Sequence, residues 1–254
     1  MAIKTNKISI LGSLIVLILL VFLGSCNKEP KKTKAVNLEL VKEIDLAVKE
    51  PSGLCYSANK NAFYTVSDNS ASIYKLSLTG ALIKQLNYKG QDLEGVTLNP
   101  NNGNIFVVEE RKRELVQLDS EGNEINRQHL DIEINDANKG LEGVAFNPKN
   151  NHIYVLNEQN PGLLIELDES GKIIKQTDLS FAIDYSGIFY EQTEDVLWIV
   201  SDKSKSITKC DLNGKKLNSY KIKESKAEGI VVDSNLKRIY VVLDGLDKLQ
   251  VYKY

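Results

Sequence analysis

The stretch "LEGVAFNP" at residues 141–148 nearly repeats "LEGVTLNP" at residues 93–100, 48 residues earlier in the chain. Aligning every short apolar run that follows a glycine extends this pair to five units, which begin at Gly53, Gly95, Gly143, Gly187 and Gly229. Successive glycines are 42, 48, 44 and 42 residues apart. A period in this range is typical of a repeat architecture, in which each unit is one supersecondary element.

Each unit has the pattern of four short strands. The strand after the glycine is followed by a turn, such as "NPNNGN" at 99–104, and by a second strand rich in aromatic and β-branched residues. A third strand, such as "ELVQLDSEG" at 114–122, runs into a hairpin turn that contains glycine. A fourth strand leads to the next glycine. Four antiparallel strands repeated about every 44 residues predict an all-β fold, the β-propeller.

The last unit is incomplete, because the chain ends after its third strand, "LQVYKY" at 249–254. The missing fourth strand is found before the first unit, in "LELVKEIDL" at 38–46. Val41 lies 12 residues before Gly53, as Leu217 lies 12 residues before Gly229. We therefore expect five blades over residues 37–254, with the N-terminal strand completing the last blade and closing the ring. A sixth blade would require a unit that the sequence does not contain.

Carboxylates recur at fixed offsets from the glycines. Fifteen residues after the five glycines stand Asp68, Glu110, Glu158, Asp202 and Asp244. Immediately before the glycines stand Ser52, Glu94, Glu142, Ser186 and Glu228. In a propeller blade the first strand begins, and the second strand ends, on the same face. The sequence thus predicts that eight carboxylates and two serine hydroxyls surround one mouth of the channel, where the first set forms a binding face.

The acidic ring has two interpretations. As a functional site it would hold Ca²⁺, which prefers six to eight oxygen ligands, with Glu94, Glu142 and Glu228 as the candidate metal ligands. As a structural feature, each acid would accept hydrogen bonds from backbone N–H groups where strands begin and end. Nearby cationic side chains that could pair with the ring are Arg111, Arg113, Lys139, Lys203 and Lys248. The stretch at 130–140 lengthens one connection and could form a lip over the channel.

The N-terminus has the layout of an export signal. Lys4 and Lys7 precede an unbroken apolar run from residue 8, which ends in "LGSC" at 23–26. We expect a lipoprotein signal peptide at 1–25, lipidation of Cys26, and a polar tether over 26–36. The alternative is an uncleaved transmembrane anchor, since the apolar run nearly suffices to span a bilayer. Either interpretation predicts a protein held at a membrane of the bacterial cell envelope.

Composition excludes some classes of function. The chain has 32 Lys and Arg against 34 Asp and Glu, a net charge of −2 that does not favour nucleic-acid binding. The two histidines, His129 and His152, are predicted to lie away from the acidic mouth. Cys55 and Cys210 fall in different blades, so we expect two buried thiols instead of a disulfide.

The sequence resembles the SdiA-regulated (YjiK-like) family of bacterial envelope propellers, which is related in pattern to NHL-repeat proteins. The resemblance rests on "PSGL" at 51–54, the two "LEGV" units and second strands such as "YTVSDN" at 64–69 and "YVLNEQ" at 154–159. It implies an exported β-propeller and does not imply a particular activity. Some distant propellers with an early Glu-Gly motif are calcium-dependent lactonases or esterases.

We therefore expect a monomeric, membrane-anchored lipoprotein whose propeller is a binding or scaffold module. Its partner would be an envelope protein, a peptide or a glycan held at the acidic face. The alternative from another class is a Ca²⁺-dependent hydrolase of the lactonase or esterase type, in which the metal polarises the carbonyl group of the substrate.

Overall fold

A computed structural model of the chain describes residues 1–2, 36–133 and 135–254. The predicted signal peptide, the lipidation site at Cys26 and nearly all of the predicted tether lie outside the described residues. Within the described part of the chain, no helix has the length and apolar composition required to cross a membrane. Regular structure there consists of strands and two short 3-10 turns, at Ala137–Lys139 and Asp244–Leu246.

The strands form five antiparallel sheets, each of which is one blade. The first two strands are β1 (Val36–Asn37) and β2 (Glu39–Asp45). Blade 1 contains β3 (Pro51–Tyr56), β4 (Ala62–Ser67), β5 (Ser72–Ser77) and β6 (Leu82–Lys89). Blade 2 contains β7 (Leu93–Leu98), β8 (Ile105–Glu109), β9 (Glu114–Leu118) and β10 (Glu124–His129).

The remaining blades repeat this order. Blade 3 contains β11 (Leu141–Asn147), β12 (His152–Asn157), β13 (Leu163–Leu167) and β14 (Ile173–Asp178). Blade 4 contains β15 (Gly187–Glu191), β16 (Val196–Ser201), β17 (Ser206–Cys210) and β18 (Lys216–Lys221). Blade 5 contains β19 (Ala227–Asp233), β20 (Arg238–Leu243) and β21 (Lys248–Lys253).

The fourth strand of blade 5 is β2, from the N-terminal end of the domain, which pairs antiparallel with β21 from the C-terminal end. This confirms the predicted five-bladed propeller and its closure by the N-terminal strand. Strand β1 adds a short parallel fifth strand to the outer edge of blade 4 by pairing with β18.

Five separate hydrophobic clusters hold the blades together, one at each interface between neighbours. Val66 of blade 1 packs in one cluster with Val107 of blade 2, and Phe63 of blade 1 packs in another with Val242 of blade 5. Because the last interface joins the two ends of the domain, ring closure is supported by apolar packing as well as by β-pairing. Cys55 and Cys210 are both buried and free, as predicted.

Candidate functional site

A pocket of about 240 Å³ opens at the end of the channel where the first strands begin. Residues from all five blades line it: Glu50, Ser52, Asp68, Glu94, Glu110, Asn138, Lys139, Glu142, Glu158, Asp184, Ser186, Asp202, Lys203, Lys226, Glu228 and Asp244. The eight carboxylates and two serines singled out in the sequence all belong to this set. We call it the acidic mouth. It contains ten carboxyl groups and three lysines, a strong local excess of negative charge.

The inner part of the acidic mouth is formed by the side chains that directly precede the repeated glycines. In blades 2, 3 and 5 the pairing of the first and second strands shifts register across the Glu-Gly step, and blade 1 has the same shift at Ser52. A bulge of this kind turns a side chain out of the regular alternation of the sheet. It accounts for how a glutamate at the start of a buried strand reaches the channel.

The repeated glycines are required by the close approach of the five first strands around the channel. A Cβ atom on Gly187 would lie 2.0 Å from the backbone oxygen of Glu228 in the next blade. A Cβ atom on Gly95 would lie 2.6 Å from the backbone oxygen of Glu142. Even an alanine at these positions would collide with the neighbouring main chain, so the glycine that marks the repeat is also what allows a narrow ring.

Serines moderate the charge of two inner glutamates. The Ser52 hydroxyl donates to the backbone oxygen of Glu94 at 2.7 Å and to its Oε2 atom at 2.9 Å. The hydroxyl of Ser186 has the equivalent interaction with the Glu228 carboxylate in the next blade. Both serines therefore bind a glutamate of the following blade, which explains why the sequence alternates between the two residue types.

Glu142 lacks such a partner. Burial raises the pKa of its carboxyl group well above 4.5, and the carboxylates of Glu94 and Glu228 raise it further. Burial and the Asp68 carboxylate likewise raise the pKa of Glu94 well above 4.5, against the hydrogen bond from Ser52. Water in the pocket reaches part of each side chain, while protein atoms surround the rest. The inner ring thus concentrates negative charge that the surrounding protein does not neutralise.

Two outer carboxylates, Glu110 and Glu158, are almost fully buried. The backbone N–H of Gly140 donates to Glu110 Oε1 at 3.2 Å. Burial nevertheless raises the pKa of Glu110 to about 7, and the nearby Asp92 carboxylate adds to this effect. Glu158 lies between two ammonium groups, since Lys139 Nζ and Lys203 Nζ are each 3.0 Å from one of its oxygens.

Asp202 and Asp244 are held by blade 5. The backbone N–H of Lys226 donates to Asp202, and Lys226 Nζ lies 3.6 Å from Asp244. Asp68 is exposed at the rim, and burial of its carboxyl group together with the Asp92 carboxylate raises its pKa. The backbone hydrogen bonds predicted by the structural interpretation are therefore present at Glu110 and Asp202.

The predicted cationic partners are only partly correct. Lys139 and Lys203 pair with the ring, but Arg111 pairs with Asp92, and Lys248 pairs with Glu43 on the outer strand. Arg113 donates to the backbone oxygen of Ile132. The expectation that these three side chains neutralise the ring is wrong, because the twist of the blades carries their strands away from the channel.

Sequence analysis missed further residues at the mouth or against it. They occupy one repeated position, three residues before each glycine: Glu50, Asp92, Gly140, Asp184 and Lys226. Asp184 is buried and accepts hydrogen bonds from the Ser201 hydroxyl and from the backbone N–H of Lys203. Applying the offset comparison one position further upstream would have found this set.

The family model for the SdiA-regulated family matches residues 30–244, most of the chain. The chain belongs to the SdiA-regulated family. No curated protein sequence matches it significantly. The expectation from the "LEGV" units is therefore confirmed at the level of the family.

Solved structures with the same fold as this SdiA-regulated protein include several propellers. A streptogramin B lyase aligns with 17% identity and a TM-score of 0.53, over 85% of this chain and 73% of that chain. Selenomethionine-substituted virginiamycin B lyase from Staphylococcus aureus aligns with 14% identity and a TM-score of 0.53, over 86% and 100% of the two chains. A nidogen–laminin complex aligns with 12% identity and a TM-score of 0.58, over 82% and 81%. At these identities the likeness concerns the fold.

The donor set of the SdiA-regulated propeller fits a hard cation. Oxygen atoms of Glu110, Glu142 and Glu158 all lie within 4.8 Å of one another, and so do oxygen atoms of a second trio, Asp68, Asp92 and Glu94. Carboxylate oxygens are the ligands that Ca²⁺ prefers, and a cation relieves the repulsion between close carboxylates. Glu94 and Glu142 thus fall in different trios, and Glu228 belongs to neither of them.

The two histidines lie away from the acidic mouth. His129 Nδ1 is 3.0 Å from the backbone oxygen of Lys112, in the outer strand of blade 2. His152 Nδ1 is 2.7 Å from Glu166 Oε1, at the opposite end of blade 3. The pocket lining contains no histidine or cysteine, so its acid–base chemistry is confined to carboxyl groups and lysines.

Proposed function

We propose that this SdiA-regulated protein is a lipid-anchored module of the bacterial cell envelope that binds its ligand through the acidic mouth. The anchor is lipidated Cys26, which the polar segment over 26–36 connects to the propeller. The ligand is a protein, peptide or glycan of the envelope, and Ca²⁺ bound by the carboxylates completes the site. The module acts as a monomer and has no role in binding nucleic acid.

The observation that carries this proposal is the uncompensated charge of the inner ring. Ten carboxyl groups face three lysines in the pocket, and the two lysines on Glu158 leave Glu142 without a hydrogen bond or ion pair among the described residues. Holding several carboxylates together costs free energy unless a cation joins them. A site that retains this cost gains most from binding a cation.

Calcium is the cation that best suits the donors. Glu110, Glu142 and Glu158 could supply three or more oxygens, and the remaining ligands of a six- to eightfold shell would come from water or from the ligand itself. A Ca²⁺ ion held in this way at the channel mouth could bridge the propeller to anionic groups of a partner, such as carboxylates of a glycan.

A hydrolase of the lactonase or esterase type is the second candidate, and one observation favours it. Glu110 and Glu228 both have a pKa of about 7, raised chiefly by burial. A carboxyl group with a pKa close to the working pH can take up and release a proton during catalysis. Beside a Ca²⁺ ion, such a group could act as the general base that activates water.

Thermal unfolding with EDTA and then with Ca²⁺ tests the cation site. A ligand in hundredfold excess over its dissociation constant stabilises the folded state by about 2.7 kcal/mol. In a domain of this size that corresponds to a rise of about 5 to 10 °C in the melting midpoint. We expect Glu142→Gln to remove the shift, and Glu121→Gln, at an exposed position far from the mouth, to leave it unchanged.

The remaining parts of the proposal have separate readouts. Cys26→Ser should move the protein from the membrane fraction to the soluble fraction if the anchor is lipid. Release of carboxylic acid from simple esters or lactones, abolished by EDTA and by Glu142→Gln, would favour the hydrolase. A Ca²⁺ shift that Glu142→Gln does not change would exclude the inner ring as the site, and no shift at all would exclude Ca²⁺ binding.

A further inference from the structure

The exposed apolar side chains of the propeller are distributed unevenly. Eleven large apolar residues are exposed in the described part of the domain: Leu40, Val41, Leu78, Leu82, Ile83, Ile125, Ile174, Ile183, Leu217, Leu236 and Leu246. Only Ile183 and Leu246 belong to loops on the side of the acidic mouth. The other nine lie where third strands end, where fourth strands begin or in the turn after a first strand, and these are all at the opposite end of the blades.

Seven of these nine residues belong to three consecutive blades. Blade 5 contributes Leu40, Val41 and Leu236, blade 1 contributes Leu78, Leu82 and Ile83, and blade 4 contributes Leu217. We call this set the apolar rim. Blades 2 and 3 have one such residue each, Ile125 and Ile174. Single exposed apolar residues are ordinary on a protein surface, but a concentration on one side of a ring indicates an interaction surface.

Exposed lysines accompany the apolar rim. Lys42 follows Val41, Lys215 and Lys216 precede Leu217, and Lys253 ends the strand that pairs with β2. None of these four lysines is within 4.0 Å of a carboxylate among the described residues. Apolar side chains next to unpaired lysines are the combination that binds to the interface of a membrane with anionic lipids.

The N-terminal segment enters the propeller at the same place. Val36 and Asn37 pair with Tyr220 and Lys221 at the outer edge of blade 4. Leu38 then packs against the core between blades 4 and 5 before β2 begins. The ten residues from Cys26 to Val36 can span at most about 35 Å. A propeller tethered this closely must keep the edge formed by blades 4 and 5 near the bilayer.

We propose that the apolar rim rests on the surface of the lipid bilayer that holds the anchor, with its lysines among anionic headgroups. This inference rests on the proposed anchoring at Cys26. The bilayer is a better match than a protein partner because the rim residues follow a curved edge and form no enclosed groove. In this orientation the acidic mouth, at the other end of the blades, points away from the membrane and stays open to its ligand.

Fluorescence quenching in reconstituted vesicles tests the orientation. The full-length lipidated protein would carry a single environment-sensitive label at Ile83→Cys or Leu217→Cys, since native Cys55 and Cys210 are buried. Vesicles would contain phosphatidylethanolamine, phosphatidylglycerol and doxyl-labelled lipid as quencher. Matched controls are Ile174→Cys on blade 3 and Leu246→Cys at the mouth, which are exposed to 51% and 47%, against 54% and 49% for the two test positions.

We expect the labels at 83 and 217 to lose most of their emission to the quencher, and the labels at 174 and 246 to keep theirs. Equal quenching at all four positions, or stronger quenching at 246, in protein that floats with the vesicles would overturn the orientation and leave the anchoring proposal standing. Protein that does not float with the vesicles would overturn both. Melting midpoints equal to that of the unsubstituted protein would show that the labels have not disturbed the fold.

Discussion

Substituting Glu228 by glutamine should stabilise the metal-free protein at pH 8 and have almost no effect at pH 4. The pKa of Glu228 is raised from 4.5 to about 7, first by burial and then by the Asp202 carboxylate, against the hydrogen bond from Ser186. A carboxyl whose pKa is higher in the folded state favours folding below its ordinary pKa. That contribution is lost as the pH rises from about 4.5 through about 7.

The magnitude follows from the separation of the two pKa values. The difference between 4.5 and about 7 corresponds to about 3 kcal/mol, at about 1.4 kcal/mol for each pH unit. Because water in the pocket solvates part of the side chain, we expect about 2 kcal/mol at pH 8. In a domain of this size this is a rise of about 4 to 8 °C in the melting midpoint.

Urea unfolding in EDTA at pH 4 and pH 8 measures this effect, with fluorescence of the single tryptophan, the fully buried Trp198, as the probe. Glu109→Gln is the matched control, since this glutamate is also buried. Although burial raises the pKa of Glu109, hydrogen bonds from Lys112 and Tyr88 outweigh it, and the pKa is lowered. The control should therefore destabilise the protein at pH 8, and less so at pH 4.

The reasoning would be refuted if Glu228→Gln left the difference in stability between pH 4 and pH 8 unchanged. A second check uses Ca²⁺. If Glu228 contributes to the field that holds the ion, saturating Ca²⁺ should reduce or reverse the stabilisation seen in EDTA, because the native carboxylate then gains an attraction that glutamine lacks.

Three further predictions concern the same region of the molecule. Lys139→Gln removes one of the two ammonium groups on Glu158 and should tighten Ca²⁺ binding about fivefold, or about 1 kcal/mol, in a calorimetric titration; unchanged or weaker binding would contradict the assigned role of the lysine. Gly187→Ala should destabilise the protein by about 1 to 3 kcal/mol, because its Cβ atom would meet the Glu228 main chain, whereas Gly245→Ala, in open space, should be nearly neutral in the same urea titration. Affinity for Ca²⁺ should fall as the pH drops below about 7, where the pocket carboxyls with that pKa take up protons, and a flat pH profile between 6 and 8 would count against them as ligands.

Much of the architecture could be read from the repeat alone. The spacing of the glycines predicted five blades, and the missing strand after Tyr254 together with the strand around Val41 predicted closure by the N-terminus. Because strand directions in a blade are fixed by short turns, the offset of Glu110 from its glycine was enough to assign it to the mouth. These inferences depend on local spacing, which the sequence contains directly.

Relations between blades could not be obtained in this way. The sequence lists Arg111 beside Glu110, yet the twist of the blade turns that arginine to Asp92, while Lys226, 116 residues further along the chain, lines the same pocket as Glu110. The need for Gly187 became clear only from its distance to the neighbouring main chain. Burial and the clustering of like charges, which raise the pKa of Glu142, also depend on units far apart in sequence.

The sequence by itself determined the number of blades, the closing strand and the identity of the carboxylates at one mouth, since each follows from a period or an offset along the chain. Only the tertiary structure decided which of these carboxylates are neutralised. It also revealed the bulges that turn the glutamates into the channel and the concentration of exposed apolar residues on blades 4, 5 and 1. The physical reason is that ring closure and blade twist set the distances between blades, and electrostatic and packing energies depend on those distances and not on position in the sequence.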